Sequence, residues 1–549
     1  MPDASTAPAV SLVDQAVITR ALVAATHEMG AKLIRSAHSP IVREAQDCSA
    51  ALMDAQGNVV AQAELIPVQL GSISHTFQPC IDAHPPESLT EDDFLINNDP
   101  YNGGQHLPDV FIFSPIFFEQ DLIGYSASVV HHIDLGGGAP GLNPEASDIH
   151  QEGLVFPPSR YSLSRDWNGG PFERLIAANV RMPEATVGDI NAQLAANAIG
   201  NERLKDLARR FGPDVLAAAM SGLLDYSERR MRTAISQVPD GTYTGEAQID
   251  DDGLGDEPVT IRAQVTVEGD SIHVGFDGTD DQVATNINNP FASTAASAIA
   301  CIKSVVTSAD IPFNDGAART IRVEAPYGSI LNPKPPAPVR ARLLPSYRVY
   351  NSVMNALAQA VPDKIVATGF DTTAAVCLSH LGDGGYNIYL EIFGGGNGAG
   401  RENDGCDGVD SPLSNCANIP MEAMEMDYDF FRVEDYSLIP DSGGAGARRG
   451  GLAFQRIYHI LKDGVKLATY GDRFVCAAPG AFGGEDGSKS EIYVIRNGER
   501  VALNSKQSFS MKAGDRLIYR TGGGGGYGRP DERPAHLSER DRAMGFVTA

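Results

Sequence analysis

Two segments, NDPYNGGQHLPD (98–109) and VVHHIDLGGG (129–138), decide how the N-terminal part of the chain is expected to fold. The chain between them reads DVFIFSPIFF, then EQD, then LIGYSASVV. Two runs rich in β-branched and aromatic residues, separated by a short polar break, predict a β-hairpin. If the turn centres on Gln120, Asp109 faces His131 across the open end of that hairpin.

The open end of the predicted hairpin has the composition of a metal site. Directly opposed side chains have Cβ atoms roughly 4.5–5.5 Å apart, so Asp109 and His131 can share an ion at about 2.0–2.2 Å. His106, three residues before Asp109, can reach the same ion. Two imidazoles and one carboxylate leave coordination positions open, which suits a catalytic Zn²⁺, Mn²⁺ or Fe²⁺. The alternative is a hairpin with ordinary polar ends, although three of the chain's 12 histidines gather there.

The choice of His131 over His132 depends on the register of the hairpin. Neighbouring side chains of a strand point to opposite faces, and a slip of one residue would exchange the two histidines. In the chosen register His132 and Asp134 point away from the ion, where they would orient ligands or contact substrate. Asp99, in the segment before the hairpin, is a further candidate for such a contact.

A long segment without regular pattern follows the hairpin, GGGAPGLNPEASDIHQEGLVFPPSRY (136–161). Loops of this length in compact domains are uncommon and tend to be functional, so we interpret it as a wall or lid of the active site. His150 and Glu152 either approach the ion or lie on the surface of this loop. His75, where a helix is expected to begin, is interpreted as a residue of the helix start rather than a ligand.

Composition limits the class of protein. With 549 residues and 42% hydrophobic content, two to four domains are expected. The net charge of −27 disfavours nucleic-acid binding. Seven scattered cysteines without a C-x-x-C pair are typical of reduced thiols in the cytoplasm. The N-terminus resembles no signal peptide, and no apolar run approaches the ~18 residues of a membrane span.

The whole pattern predicts a mixed α+β, multi-domain and β-rich fold, with antiparallel sheets, glycine-rich loops and helical segments in the N-terminal half. Apolar residues at helical spacing indicate a helix over 13–34 and two or more helices within 184–237, with Gly212-Pro213 between them. Residues 39–62 are expected to form a strand, a turn and a second strand, and the Pro- and Gly-rich residues 311–339 an extended chain that crosses between lobes. Clean alternation over 257–279 indicates an antiparallel meander. We expect a metal-bearing α/β domain (1–238), a middle α+β domain (239–366) and a β-rich glycine-loop domain (367–549).

Neither a nucleotide site nor a cysteine nucleophile is indicated by the glycine-rich segments. A phosphate-binding loop needs G-x-x-x-x-G-K-[ST] between a strand and a helix, and the nearest approach, Gly487-Ser488-Lys489-Ser490, lacks the Gly-Lys junction. Glycine runs in β-rich chains are usually turns and close backbone crossings. Cys406 and Cys416 lack an evident base or positive neighbour, which a nucleophilic thiol requires.

Ten segments together resemble the hydantoinase B/oxoprolinase family, which includes the alpha subunits of acetone-type carboxylases. The resemblance extends from about residue 15 to 530, and the segments that carry it are NDPYNGGQHLPD, HHIDLGGGAPG, IHQEGLVFPP, GDINAQLAAN, PDGTYTGE, IPFNDGAARTIRVEAPYGSILNP, EIFGGGNGAG, DSGGAGARRGG, YGDRF and TGGGGGYG. Gln105 stands where the family often has Thr, and Gln69 where His is common. The family's ligand pattern, His-x-x-Asp plus a distal His, falls on His106, Asp109 and His131.

The resemblance implies a division of labour between two subunits. A hydantoinase A-type partner with an ATPase fold would bind ATP and Mg²⁺ and phosphorylate an inert amide, ketone or bicarbonate. The B-type chain would hold a divalent metal, where the activated species is hydrolysed or carboxylated. We therefore expect the catalytic subunit of a cytoplasmic hetero-oligomer that hydrolyses a cyclic amide such as a hydantoin or lactam. The alternatives are an ATP-dependent ketone carboxylase, and a non-catalytic scaffold for the ATPase.

Overall fold

The predicted hairpin forms the middle of a six-stranded antiparallel sheet in the computed structural model, which describes residues 10–63, 65–308 and 310–548. Strands Asp109–Phe118 (β4) and Asp121–His131 (β5) pair from Asp109 opposite His131 to Ile116 opposite Gly124. The register then shifts by one residue before the tight turn. The expected register is confirmed at the open end, and a bulge near the tip is an addition to it.

Four sheets and thirteen α-helices make up the described part of the chain, and they confirm the mixed α+β class with several antiparallel sheets. The helices have these bounds: α1 Leu12–Ser36, α2 Pro40–Arg43, α3 Pro67–Leu70, α4 Ile73–Ala83, α5 Leu163–Asp166, α6 Pro171–Asn179, α7 Pro183–Phe211, α8 Pro213–Ile235, α9 Phe291–Val306, α10 Asp315–Ala318, α11 Leu343–Leu357, α12 Met421–Asp427 and α13 Ala535–Ala543. None of them is both long and apolar enough to cross a bilayer.

The strands of the described residues form four sheets, and the third and fourth sheets take their strands alternately from the C-terminal part of the chain. The first sheet has the order β2-β1-β5-β4-β3-β6 and the second β10-β9-β8-β7, while the third and fourth are β12-β11-β15-β18 and β13-β14-β19-β16-β17. Besides β4 and β5, their bounds are β1 Cys48–Met53, β2 Val59–Gln62, β3 Asp93–Asn97, β6 Ser159–Ser162, β7 Gly241–Ile249, β8 Val259–Glu268, β9 Ser271–Gly275, β10 Ile321–Glu324, β11 Ala374–Gly382, β12 Gly385–Phe393, β13 Phe431–Leu438, β14 Phe454–Ile460, β15 Lys466–Tyr470, β16 Glu491–Arg496, β17 Glu499–Ala502, β18 Gln507–Ser510 and β19 Arg516–Arg520.

Both faces of the hairpin sheet are packed against helices. Successive side chains of β4 and β5 point alternately to the two faces. Phe111 and Phe113 pack with Phe77 of α4 on one face, whereas Val110 and Ile112 pack towards α6 and α7 on the other. Asp109 and His131 occupy positions of the first face, since they alternate with the second set. The polar ends of the two strands therefore meet on the α4 side of the sheet.

Two local expectations need correction. Residues 40–43, expected to begin a strand, form the short helix α2, because Pro40 at the first helical position favours a helical turn. Residues 321–324, expected to be part of an extended crossing segment, pair in parallel with β9 as β10. That pairing partner lies about fifty residues earlier in the chain, so no local pattern specifies it.

Glycine-rich segments of the C-terminal part form extended chains that bond directly to one another. Gly396 N donates to Gly522 O at 3.0 Å, Gly524 N to Gly451 O at 3.0 Å, and Gly451 N to Asn397 O at 2.7 Å. A Cβ atom built on Gly524 would overlap the carbonyl oxygen of Asn397. These glycines are therefore required by close backbone packing, as the sequence interpretation expected.

Candidate metal centre

Three buried side chains meet at the open end of the hairpin. His106, Asp109 and His131 offer ligand atoms that all lie within 4.8 Å of one another. His106 Nδ1 is 3.1 Å from Asp109 Oδ2, and His131 Nδ1 is 3.7 Å from Asp109 Oδ1. All three are at most 2% exposed, so this conformation closes them off from bulk solvent. The three residues predicted as ligands are thus brought together.

The bonding of the two imidazoles fits a metal. His131 Nε2 is buried and finds no hydrogen-bond partner among the residues that the structure describes. His106 Nδ1 is also buried, and although Asp109 Oδ2 lies 3.1 Å away, the pair lacks hydrogen-bond geometry. This arrangement costs free energy unless something else binds there. Burial lowers the pKa of His106 to about 4 and that of His131 well below its ordinary value, helped by neighbouring cations. Both rings are therefore neutral at pH 7, the form that binds metals.

Asp109 is held in place and in its ionised form. Burial alone would raise its pKa, but His106 and Arg342 outweigh burial and hold the pKa well below its usual range. Arg342 Nη2 makes a short ion pair with Asp109 Oδ2. Gln69 Nε2 donates to Asp109 Oδ1 at 3.2 Å. An ionised carboxylate between two neutral imidazoles is a ligand set that Zn²⁺ or Mn²⁺ accepts.

Asp47 lies beside the cluster, one residue before the adjacent strand β1. Its Oδ2 is 3.5 Å from His131 Nδ1, because β1 pairs with β5 and begins at Cys48, opposite Val130. Gln69 Nε2 donates to Asp47 Oδ1 at 2.8 Å. Burial, reinforced by the charge of Asp109, raises the pKa of Asp47 to about 8. Asp47 is thus a fourth polar group within reach of the candidate ligands.

The proline-rich segment 333–342 (the covering segment) packs against the site through Arg342, which bonds to Asp109. Its residues Arg340 and Arg342 are both buried. Glu152 Oε1 accepts hydrogen bonds from Val339 N at 3.1 Å and Arg340 N at 2.9 Å. Burial raises the pKa of Glu152 to about 7. Of the two candidates in the long loop, Glu152 therefore holds the covering segment and does not join the three-residue cluster.

His132 and Asp134 face away from the cluster, as strand alternation requires. His132 Nε2 lies 3.1 Å from Gln193 Oε1 on α7. Asp134 accepts hydrogen bonds from Arg181 N and, at 3.2 Å, from Arg181 Nη1, and from Gly136 N at 3.3 Å. Both residues therefore tie the end of β5 to α7 and to the segment before it.

Three other histidine and aspartate candidates lie outside the cluster. Asp99 accepts from Tyr101 N at 3.0 Å and from Asn102 Nδ2 at 2.8 Å, which stabilises the turn before the hairpin. His150 is exposed on the long loop, where its backbone N–H donates to Asp148. His75 is the third residue of α4 and packs edge-on against Phe291.

Comparison with known proteins identifies the relationship. The sequence profile of the family described as hydantoinase B/oxoprolinase matches residues 12–530. The chain belongs to the hydantoinase B/oxoprolinase family. A relative from Pseudomonas sp. (strain NS671), named as the B-type subunit of a "putative D-/L-hydantoinase", is 33% identical, over 95% of this chain and 90% of the relative. The beta subunit of the caprolactamase of Pseudomonas jessenii is 30% identical, over 98% of this chain and 94% of the relative.

Solved structures share the fold of this family member. The crystal structure of the ATP-dependent caprolactamase from Pseudomonas jessenii superimposes with a TM-score of 0.88 at 28% identity, covering 98% of this chain and 95% of that chain. A nucleotide-free structure of acetone carboxylase gives a TM-score of 0.84 over 97% of this chain and 78% of that chain. At 16% identity the second likeness concerns the fold alone.

Sequence reasoning missed several residues that surround the cluster in this hydantoinase B-type chain. Asp47, Gln69, Gln105, Arg340 and Arg342 are all buried there. Gln105 accepts from Arg342 Nη2 at 2.7 Å and donates to Ser72 Oγ at 2.6 Å. The two departures from the family pattern noted in the sequence, Gln69 and Gln105, thus both lie at the site. The arginines carry no local signal, since more than 200 residues separate them from the hairpin.

Proposed function

We propose that this chain is the metal-bearing catalytic subunit of an ATP-dependent amidohydrolase that opens a cyclic amide such as a hydantoin or a lactam. The observation that carries the proposal is the buried cluster of His106, Asp109 and His131, in which His131 Nε2 has no hydrogen-bond partner among the described residues. The hydantoinase and caprolactamase subunits named above support the choice of a cyclic amide.

An amide carbonyl is a poor electrophile, because the nitrogen lone pair is delocalised into it. Phosphorylating the amide oxygen removes that delocalisation and makes the carbonyl carbon electrophilic. Hydroxide then adds to that carbon, the ring C–N bond breaks with the nitrogen leaving as the amine, and a second water releases phosphate from the acyl phosphate that remains. A divalent metal held by His106, Asp109 and His131 would supply hydroxide near neutral pH, since metal-bound water has a pKa near 7 in favourable sites. Zn²⁺ and Mn²⁺ both suit the donor set, and Fe²⁺ is the third choice.

The chain's own residues would hold this site in shape. Arg342 and Gln69 fix the two oxygens of Asp109 through separate hydrogen bonds, so the carboxylate cannot rotate away from the histidines. Glu152 fixes the backbone at Val339 and Arg340, which keeps the covering segment over the hairpin. The cluster is buried and excludes bulk water. This exclusion would protect a phosphorylated amide from unproductive hydrolysis.

The phosphorylation step is assigned to a partner. The chain lacks a G-x-x-x-x-G-K-[ST] motif, and the two relatives above are named as the B-type and the beta component of their enzymes. We infer a hetero-oligomer with a hydantoinase A-type subunit that binds ATP and Mg²⁺, located in the cytoplasm. Isolated, clean chain should accordingly show no steady ATPase turnover, and co-expression with the neighbouring reading frames should yield a complex.

The test is an assay of the reconstituted complex with ATP and a panel of lactams, hydantoins and ketones, with and without bicarbonate. Ring opening that is independent of bicarbonate is expected. Product from a ketone only when bicarbonate is present would favour the carboxylase alternative, whose fold is shared. His131→Ala should lose activity, and His150→Ala, an exposed histidine of the nearby loop, is the matched control. Activity that survives both metal removal and His131→Ala would favour the scaffold alternative.

A further inference from the structure

A cavity of about 420 Å³ shares the short helix α3 with the candidate metal centre. Pro67 and Leu70 of this helix line the cavity. Gln69 of the same helix donates to Asp109 Oδ1 at 3.2 Å. One turn of helix therefore contacts both the cavity and the candidate metal ligands. The volume lies in the range of small-molecule sites, roughly 300–1,000 Å³.

The wall of this cavity combines apolar side chains with hydroxyl groups that are already paired. The apolar part consists of Leu65, Pro67, Leu70, Ala300 and Phe313. Ser304 Oγ donates to Cys301 O at 2.7 Å, so its oxygen accepts from the Tyr350 hydroxyl at 2.9 Å. Thr307 Oγ1 donates to Lys303 O at 2.6 Å. A ligand with an apolar ring can therefore pack against this wall without displacing hydrogen bonds.

Gln62, the last residue of β2, lines the cavity with an unpaired carboxamide. Its side chain is 7% exposed and makes no hydrogen bond with the residues that the structure describes. The other buried glutamines, Gln69, Gln105 and Gln193, each bond through both the oxygen and the nitrogen of the carboxamide. The buried asparagines of the described ranges each make at least one side-chain hydrogen bond. The carboxamide of Gln62 is therefore available to a ligand.

A carboxamide has the right shape to pair with a cyclic amide. The carbonyl oxygen of Gln62 and one of its N–H groups lie on the same side of the planar group. Ring closure also holds the N–H and C=O of a small lactam or hydantoin on one side. An open-chain secondary amide is trans, with these groups on opposite sides, and its cis form costs ~2.5–4 kcal/mol. Only the cyclic amide can therefore donate one hydrogen bond to Gln62 and accept another from it.

We propose that the cavity beside α3 binds the unmodified cyclic amide, with the ring against the apolar wall and the cis amide paired with Gln62. The choice of ligand rests on the proposed function, to which the cavity adds a residue that selects closed rings over open-chain amides. The ring-opened product of a lactam has no amide and would leave the cavity. Binding here makes and breaks no covalent bond, so it can be measured without the partner or ATP.

Ligand-detected NMR titration of the isolated, full-length, chelator-treated chain tests this site. 2-Pyrrolidone and hydantoin should bind saturably. Two probes should bind about tenfold more weakly, or less, which corresponds to the ~1.4 kcal/mol that one or two hydrogen bonds contribute. They are N-methyl-2-pyrrolidone, which lacks the N–H, and N-methylacetamide, which is open and trans.

Three variants locate the binding. Gln62→Met keeps the length of the side chain and removes both hydrogen bonds, so it should lose about tenfold or more in affinity for 2-pyrrolidone and bind N-methyl-2-pyrrolidone like the wild type. Ala300→Trp fills the cavity and should abolish binding of every probe. Ala217→Trp, the matched control, places the same side chain in another cavity, of about 430 Å³ beside α8, and should bind like the wild type. Urea unfolding shows that each variant is folded before titration.

Several results would overturn the proposal. They are the absence of saturable 2-pyrrolidone binding by the wild type, equal affinity of the wild type and Gln62→Met, and binding of N-methylacetamide as tight as that of 2-pyrrolidone. Acetate that competes at equal affinity would assign the cavity to anions, since Lys303 also lies in its wall, and would overturn the cyclic-amide class. Failure of the proposed function would instead appear as absent ring opening by the complex, although 2-pyrrolidone still binds to the chain.

Discussion

Substituting the neighbouring histidines one at a time should separate metal binding from stability. His131→Ala and His132→Ala remove the same atoms from positions that are 2% and 0% exposed, so the cavities created are similar. Their partners differ. His131 belongs to the candidate ligand cluster, and its Nε2 meets no protein acceptor in the described residues. His132 Nε2 lies 3.1 Å from Gln193 Oε1.

The expected magnitudes follow from those partners. Structural zinc sites with four ligands bind with roughly 10–16 kcal/mol, or roughly 3 kcal/mol per ligand, so His131→Ala should weaken metal binding about a hundredfold or more. His132→Ala should weaken it less than about tenfold, because the ring lies on the other face. In the presence of chelator, the free energy of unfolding of His132→Ala should be about 1–3 kcal/mol lower than that of His131→Ala, because His132→Ala leaves the Gln193 side-chain oxygen unpaired.

Two assays measure the two effects on the same preparations. Competition with a chromophoric chelator gives the affinity for Zn²⁺ and Mn²⁺, and urea unfolding in chelator gives the free energy of unfolding. His106→Ala and Asp109→Ala should behave like His131→Ala in the metal assay. Loss of metal by His132→Ala with retention by His131→Ala would refute the pairing of Asp109 with His131, and with it the orientation of Asp134.

Two further predictions concern residues around the site and in the glycine-rich region. Burial raises the pKa of Glu152 from about 4.5 to about 7, so the stability that its protonated form supports is complete below pH 4.5 and is lost as the pH rises through 7. Relative to the wild type, the free energy of unfolding of Glu152→Gln should therefore rise by up to about 3 kcal/mol between pH 5 and 8. A difference independent of pH would contradict this. Gly524→Ala should lower the free energy of unfolding by more than about 4 kcal/mol or prevent folding, because the added Cβ would overlap the Asn397 carbonyl. In the control, Gly384→Ala, the added Cβ meets nothing within 4 Å. Urea unfolding should show that this variant is about as stable as the wild type.

Local patterns were sufficient for the hairpin and for the long helices. Strand period and a short polar break place Asp109 opposite His131, because side-chain alternation fixes the face once the turn is known. The punctuation at Gly212-Pro213 divides α7 from α8 as expected. The long loop after β5 also lies where its composition predicts. The division into three domains stays a prediction.

Contacts between segments that are distant in the sequence could not be predicted from local patterns. Asp47 reaches the cluster because β1 pairs with β5, and Arg342 reaches it because a distant segment folds over the hairpin. Neither contact leaves a local periodicity. Glu152 was a candidate for approaching the ion, but its carboxylate bonds to the backbone of the covering segment instead, and only the tertiary structure distinguishes these roles.

Ring opening by the reconstituted complex, measured before and after metal removal, tests the central claim most directly. We predict about one divalent ion per chain, loss of ring opening after chelation, and recovery on adding Zn²⁺ or Mn²⁺. The His131→Ala complex should show no recovery, while the partner's phosphorylation of substrate continues. Ring opening at the wild-type rate by metal-free complex, or by the His131→Ala complex, would contradict a catalytic metal centre at His106, Asp109 and His131.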